Sequence, residues 1–257
     1  MNAKVKLLGI EFDAVTRLEA VTRLGTWIER PSDHCHYVVT PNVDHSIIFQ
    51  QERRMRRAYR EASLVVVDGM PLLWLSRWVR KGLPERVNGT DLTVDLLESS
   101  CGRQRPLRVF LMGALPEVAE RAAHLIERRW PNVCVVGVYS PKIGFEPCSP
   151  EDDEIVKMIN RALPDVLILG LSPPKQELWI NAHHRDLRAR VALCVGGTID
   201  FLAGEKLRAP RWMCDSGLEW FYRLWQEPRR LWGRYLRDAW IFPRLVLREL
   251  RSLKTNK

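Results

Sequence analysis

The chain has 257 residues, 46% of them apolar and 28% charged, which fits one large globular domain, or a domain with an appendage, and excludes a disordered or fibrous protein. No uninterrupted apolar run approaches the roughly 18 residues that a membrane span needs, and the first residues lack a secretory signal pattern, so the sequence reads as cytosolic. The net charge is +9, and residues 206–257 hold 13 Lys and Arg against 5 Asp and Glu, so nearly all of the excess sits in the last fifth.

Up to about residue 205, short β-branched runs alternate with amphipathic stretches, the pattern of a parallel sheet covered by helices. Strands are predicted at 6–12, 36–40, 64–67, 107–112, 133–138, 166–169 and 191–195. Helices are predicted at 16–27, 43–60, 71–79, 91–101, 116–130, 151–161 and 174–183. Residues 1–205 thus read as an α/β core and 206–257 as a basic helical appendage, which also carries five of the ten tryptophans, Trp212, Trp220, Trp225, Trp232 and Trp240. Pro228 should open a helix there, with Arg230 and Arg234 four apart on one face. A solvated basic face over a packed aromatic stripe is the plainer reading, and many arginines beside many interfacial aromatics lift the alternative of a helix lying on an anionic membrane, whereas no nucleic-acid-binding module accompanies the charge.

The six cysteines are scattered without a C-x-x-C pair and read as reduced. Nor do the six histidines form a metal set. In an open α/β sheet, ligands bind beyond the carboxyl ends of the strands. Polar or glycine clusters stand there at Thr40-Pro41-Asn42, Asp68-Gly69, Gly113, the stretch 170–177 (GLSPPKQE) and Gly196-Gly197-Thr198-Ile199-Asp200. Asp68 is suited to a general base at the crevice mouth and equally to capping the helix near Pro71. Thr40 and Asn42 offer a hydroxyl and an amide to a sugar or carboxylate, with an ordinary turn the plainer reading.

The unit 107–130 lacks G-x-G-x-x-G, no acidic residue closes the next strand, and the lysine-bearing phosphate loop is absent. These features disfavour a dinucleotide oxidoreductase and that kind of ATPase, and leave a nucleotide sugar open. No strict D-x-D occurs, so a diphosphate would need arginines and helix dipoles rather than a metal.

The ordered motifs VVTPNVDH, VVVDGMPLLW, RVNGTDL, FLMGALPEVAERAA, ILGLSPPKQELWI, CVGGTIDFLAGEKLRAP and GLEWFYRLWQEPRRLWGRYL resemble the WecG/TagA/CpsF glycosyltransferases, family 26, from about residue 6 to 243. The resemblance implies a Rossmann-like fold of the GT-E type, with a C-terminal appendage that completes the active site and docks on the membrane. It implies an inverting, metal-independent transferase, without a cofactor, that moves a sugar from a UDP-sugar to a polyprenyl-diphosphate-linked acceptor. N-acetylmannosamine, its uronic acid and glucose are among the sugars such enzymes use. The product would feed a surface polysaccharide, and the enzyme would sit peripherally on the cytoplasmic face of the inner membrane.

By the same resemblance, Asp68 falls on the catalytic base, while Thr40, Asn42 and Gln176 orient the sugars. Arg86, Gly89 and Asp91 match the pocket wall, and Asp200 a position near the uridine. Gly113, Gly196 and Gly197 let backbone approach the nucleotide, and Tyr139 stacks there. Arg223 and Arg230 correspond to arginines at the diphosphate, with Arg234 a third, while Gly233 stands where relatives often carry a basic residue. The competing expectation is a nucleotide-binding interaction protein that uses the appendage for attachment alone. A docked appendage favours a monomer and an undocked one weak self-association.

Overall fold

A computed structural model describes residues 3–79, 82–142 and 144–255, in which eight strands form two sheets. The smaller is an antiparallel hairpin of β1 (Lys4–Leu7) and β2 (Ile10–Asp13). The predicted strand 6–12 is therefore two. Leu7 pairs with Ile10, and Leu8 and Gly9 between them both take positive φ, 52° and 80°, as a tight two-residue hairpin turn requires.

The larger sheet holds β3 (His36–Val39), β4 (Leu64–Val65), β5 (Leu107–Gly113), β6 (Val133–Tyr139), β7 (Val166–Gly170) and β8 (Val191–Cys194). All neighbours are parallel, in the order β4-β3-β8-β7-β5-β6. Successive side chains leave a strand on opposite faces, so Val39, Met112 and Leu169 enter one core layer with Tyr37 and Trp179. Val38, Leu111 and Ile168 enter the other with Leu24, Leu92 and Ala122. Burial on both faces is why these strands read as continuous apolar runs.

Helices α1 (Arg17–Glu29), α2 (Val43–Gln51), α3 (Arg53–Glu61), α4 (Met70–Trp78), α5 (Gly89–Glu98), α6 (Pro116–Arg129), α7 (Glu151–Ala162) and α8 (Lys175–His183) cover the sheet. The helix predicted over 43–60 is split at Glu52, whose backbone is extended and whose side chain accepts from Arg54 N to cap α3. After the last strand comes the short α9 (Thr198–Leu202). At the ends of β5 and β7, Gly113 has φ +128°, and a Cβ there would lie 2.6 Å from the carbonyl of Gly170. Only glycine lets those two strand ends approach so closely.

The appendage is α10 (Arg211–Asp215), α11 (Glu219–Gln226) and α12 (Pro228–Thr255), with Pro243 inside α12. It is docked on the core. Leu231 is buried, and Phe242, Leu245 and Val246 pack against the first core layer. Charged contacts fix the docking: Arg237 pairs with Asp44 of α2, Arg208 with Asp91 of α5, and Arg86 with Glu219 of α11. Among the described residues no helix is long and apolar enough to cross a membrane.

Candidate active site

A cavity of about 330 Å³ opens where the carboxyl ends of β3 and β4 meet the appendage. Its core wall comes from Asn42, Val43, Asp44, Asp68, Gly69, Met70, Pro71 and Arg86, and its outer wall from residues of α11 and α12. The core wall is held by backbone. Val66 N and Asp68 N donate to Val39 O and Pro41 O, extending the β3–β4 pairing past the strands, and Val87 N donates to Val67 O. A Cβ on Gly69 would come within 3.2 Å of Asn42 Cα, so glycine lets the two loops touch.

Asp68 does not cap the following helix: the N-cap of α4 is Gly69, without a side-chain cap bond. The carboxylate instead accepts from Asn88 Nδ2 at Oδ1, 2.8 Å, and the same oxygen stands 3.7 Å from Arg86 Nε. Burial pushes its pKa up to about 6, even though Arg86, Arg223 and His45 favour the ionised form. A carboxyl poised near 6 is largely ionised at neutral pH yet keeps a useful proton affinity, which suits a general base.

Asn88 is the N-cap of α5, its Oδ1 accepting from Thr90 N and Asp91 N, so its nitrogen is the atom turned to Asp68. Asn42 caps α2 in the same way, its Oδ1 accepting from His45 N. Arg86 donates to Glu219 Oε2 at 2.5 Å and to Cys214 O at 3.3 Å, so one guanidinium joins the wall beside Asp68 to the appendage.

Arg223 and Arg234 line the cavity from the appendage. Arg223 stacks 5.6 Å above Phe201, and a side chain on Gly197 would come within 3.7 Å of Arg223 Nη2 and Lys206 Nζ. Arg223 therefore stands between Asp68 and the Gly196-Gly197 turn. Asp200 pairs with Lys206 at 2.8 Å beside that turn. Arg234 lies 3.7 Å from Asp44 and over the Tyr235 ring. The structure separates Arg230 from these two: it is exposed, ion-paired to Glu227 at 2.5 Å, and outside the cavity. Glu227, just before α12, holds it one turn short of Arg234.

The other sequence-predicted residues do not line the cavity. Thr40 is buried and donates its hydroxyl to Cys194 O, tying β3 to β8. Gln176 is buried with both ends engaged, Nε2 donating to Glu177 and Oε1 accepting from Gly196 N. Gly89 lies against Val195 and Thr40, and a Cβ there would come within 3.0 Å of Val195. Asp91 pairs with Arg208 and Arg17, and the Tyr139 hydroxyl donates to Glu151 on the far edge of the sheet. Gly113 serves strand packing at the β5 end, while Gly196 has φ +54° in the turn that Gln176 holds.

Sequence reasoning missed Asn88 and Glu219, which enclose Asp68 and Arg86. The spacing of Asn88 three residues before Asp91 is a helix-cap signal that points to the first. It also missed that α4 turns Trp74 and Trp78 outward, the latter 68% exposed, as Trp220, Trp225 and Trp240 of the appendage are also exposed. Trp74 reaches the appendage, since a Cβ on Gly217 would lie 2.7 Å from its ring. Among the described residues no three His, Cys, Asp or Glu side chains converge as a metal site.

Residues 5–256 match the profile of the Glycosyl transferase WecG/TagA/CpsF family. The chain is also 30% identical over 256 residues to proteins of Staphylococcus aureus strains MRSA252, MW2 and NCTC 8325, covering 100% of this chain and 97% of each relative. Each of those relatives is described as an N-acetylglucosaminyldiphosphoundecaprenol N-acetyl-beta-D-mannosaminyltransferase.

Proposed function

The chain belongs to the WecG/TagA/CpsF family of glycosyltransferases, and from that premise we propose that it transfers an N-acetylmannosamine-type sugar from a UDP-sugar to a polyprenyl-diphosphate-linked acceptor. The observation that carries this reading is the placing of Asp68, with its raised pKa, in one cavity with Arg223 and Arg234. Asp68 Oδ2, the oxygen turned from Asn88 and Arg86, takes the proton of the acceptor hydroxyl as that oxygen attacks the anomeric carbon from the side opposite the leaving group. The product is inverted. Charge building on the departing UDP is met by Arg223 and Lys206 beside the Gly196-Gly197 turn. Such fixed cations make the step independent of a metal or other cofactor. Arg234 faces the acceptor diphosphate, and Asn42 and Asp200 orient the sugar and the nucleotide.

Membrane attachment belongs to the same proposal. A lipid-linked acceptor must reach a cavity rimmed by α4, α11 and α12, whose outward tryptophans and arginines match the chemistry of an anionic interface. The enzyme then works peripherally on the cytoplasmic face of the membrane, where UDP-sugars are available, and feeds a surface polysaccharide.

The test is release of UDP by the full-length protein in vesicles holding a polyprenyl-diphosphate-linked N-acetylglucosamine, with UDP-N-acetylmannosamine and a chelator present. Acceptor-dependent release at an undiminished rate supports the proposal. Release only with added divalent cation would remove the metal-free mechanism, and no transfer from any UDP-sugar would leave the interaction-protein reading.

A further inference from the structure

Behind the cavity wall lies a buried chain of polar groups outside the mechanism above. Glu177 of α8 is fully buried, and its Oε1 stands 3.3 Å from His45 Nε2. Neither its Oε2 nor His45 Nε2 has a hydrogen-bond partner among the described residues, so the two groups are apposed at ion-pair distance. On the other side of the ring, His45 Nδ1 lies 2.8 Å from Asn42 Oδ1. A backbone N–H can only donate, so the His45 N contact identifies that Asn42 atom as the oxygen, and Nδ1 must therefore carry a hydrogen. The same Glu177 oxygen accepts from Gln176 Nε2, and Gln176 Oε1 in turn accepts from Gly196 N.

Burying such a pair is costly, and apolar packing of similar volume often stabilises as well or better, so stability alone does not account for it. Its polar connections run to the two loops that frame the site. We infer that His45, apposed to Glu177, is a positioning residue for the transfer: its Nδ1 holds Asn42 Oδ1, so that Asn42 presents only its Nδ2 to the cavity, as a donor to a substrate oxygen. The inference rests on the transferase reading of the cavity. Burial favours a neutral imidazole, but Glu177, with Asp44 and Asp68 beyond, outweighs it and raises the pKa above the ordinary histidine value, consistent with hydrogens on both nitrogens.

Two isosteric variants separate the two ring nitrogens. His45→Asn puts an amide nitrogen near the Nδ1 position, and His45→Gln puts one near Nε2. Kinetics of the full-length protein with UDP-N-acetylmannosamine and lipid-linked N-acetylglucosamine should show kcat down about tenfold or more for His45→Gln, through misplacement of Asn42. His45→Asn should stay within about threefold of the parent at an equal or larger loss of Tm. Equal kcat for the two variants, or losses that simply follow Tm, would overturn the inference. A second readout needs no turnover: with ¹⁵N-labelled imidazole, His45 Nδ1 should appear as a protonated nitrogen whose hydrogen is protected from exchange, and Asn42→Ala should remove the protection. An unprotonated Nδ1 overturns the inference even in an active enzyme, whereas a protonated, protected Nδ1 in a protein without transfer sinks the transferase reading alone.

Discussion

Asn88 Nδ2 binds the same oxygen of Asp68 that faces Arg86, at 2.8 Å and 3.7 Å respectively. The carboxylate thus has one oxygen engaged by both groups and one, Oδ2, turned from them. That division, together with the raised pKa, gives Asp68 variants a sharply defined outcome.

Asp68→Asn keeps the shape and the capacity to accept from Asn88 but removes the base. Turnover should fall by about 10²–10⁴-fold, with Tm and the far-ultraviolet spectrum close to the parent. Steady-state kinetics beside a thermal melt checks both, and near-normal turnover would remove Asp68 from its role.

The sign of the pH dependence follows from the direction of the Asp68 shift. The base acts when ionised, and burial raises its pKa to about 6, so kcat/KM should fall as pH drops through about 6 and level off above it. Asn88→Asp sets a second carboxylate against the first while retaining a helix-capping side chain, and should move that acid limb to higher pH. A pH–rate profile of parent and variant that shows no displacement would contradict the contact.

Arginines of the appendage should differ in effect. Arg223→Ala and Arg234→Ala remove cations from the cavity and should each cost tenfold or more in kcat/KM, on the order of 1.4 kcal/mol or more of transition-state stabilisation. Arg230→Ala removes an exposed pair with Glu227 and should stay within about twofold. Measuring all three against both substrates decides whether the cavity or the whole basic helix meets the diphosphates.

Membrane binding should draw on α4 as well as the appendage. Trp78→Ser and Trp225→Ser should each weaken co-sedimentation with anionic vesicles, the first as clearly as the second, while leaving the fold intact because both rings are exposed. If Trp78→Ser binds like the parent, α4 is not part of the docking face.

Gly113→Ala tests the strand ends. With φ +128° and a Cβ that would meet the Gly170 carbonyl, it should destabilise by more than about 1 kcal/mol in urea unfolding.

Much of the framework was legible in the sequence because a sheet buried on both faces writes itself as apolar runs. The six parallel strands lie where those runs pointed. Local backbone detail was hidden: the Leu8-Gly9 turn and the Glu52 break occupy stretches whose apolar spacing suits a continuous element. In the site, motif positions located Asp68, Asn42, Arg86, Arg223 and Arg234 at one cavity. They gave no hint that Thr40 and Gln176 spend their polar atoms on Cys194 and Gly196, since side-chain direction depends on how the loops fold together. Trp74 and Trp78 carry no mark of their direction in the sequence, and only the packed helix shows which way they point.

Asn42 and Asn88 each fasten a helix with the oxygen of an amide and leave its nitrogen for another duty, which in Asn88 is the bond to Asp68. Two duties are therefore written on one functional group. A survey of variants scored only for folding would file both among ordinary helix starts, and one scored only for turnover would miss the stability they carry. Serine, a good cap elsewhere, satisfies the first duty at either position and fails the second. The allowed alphabet there is accordingly narrower than either helix or chemistry alone would set.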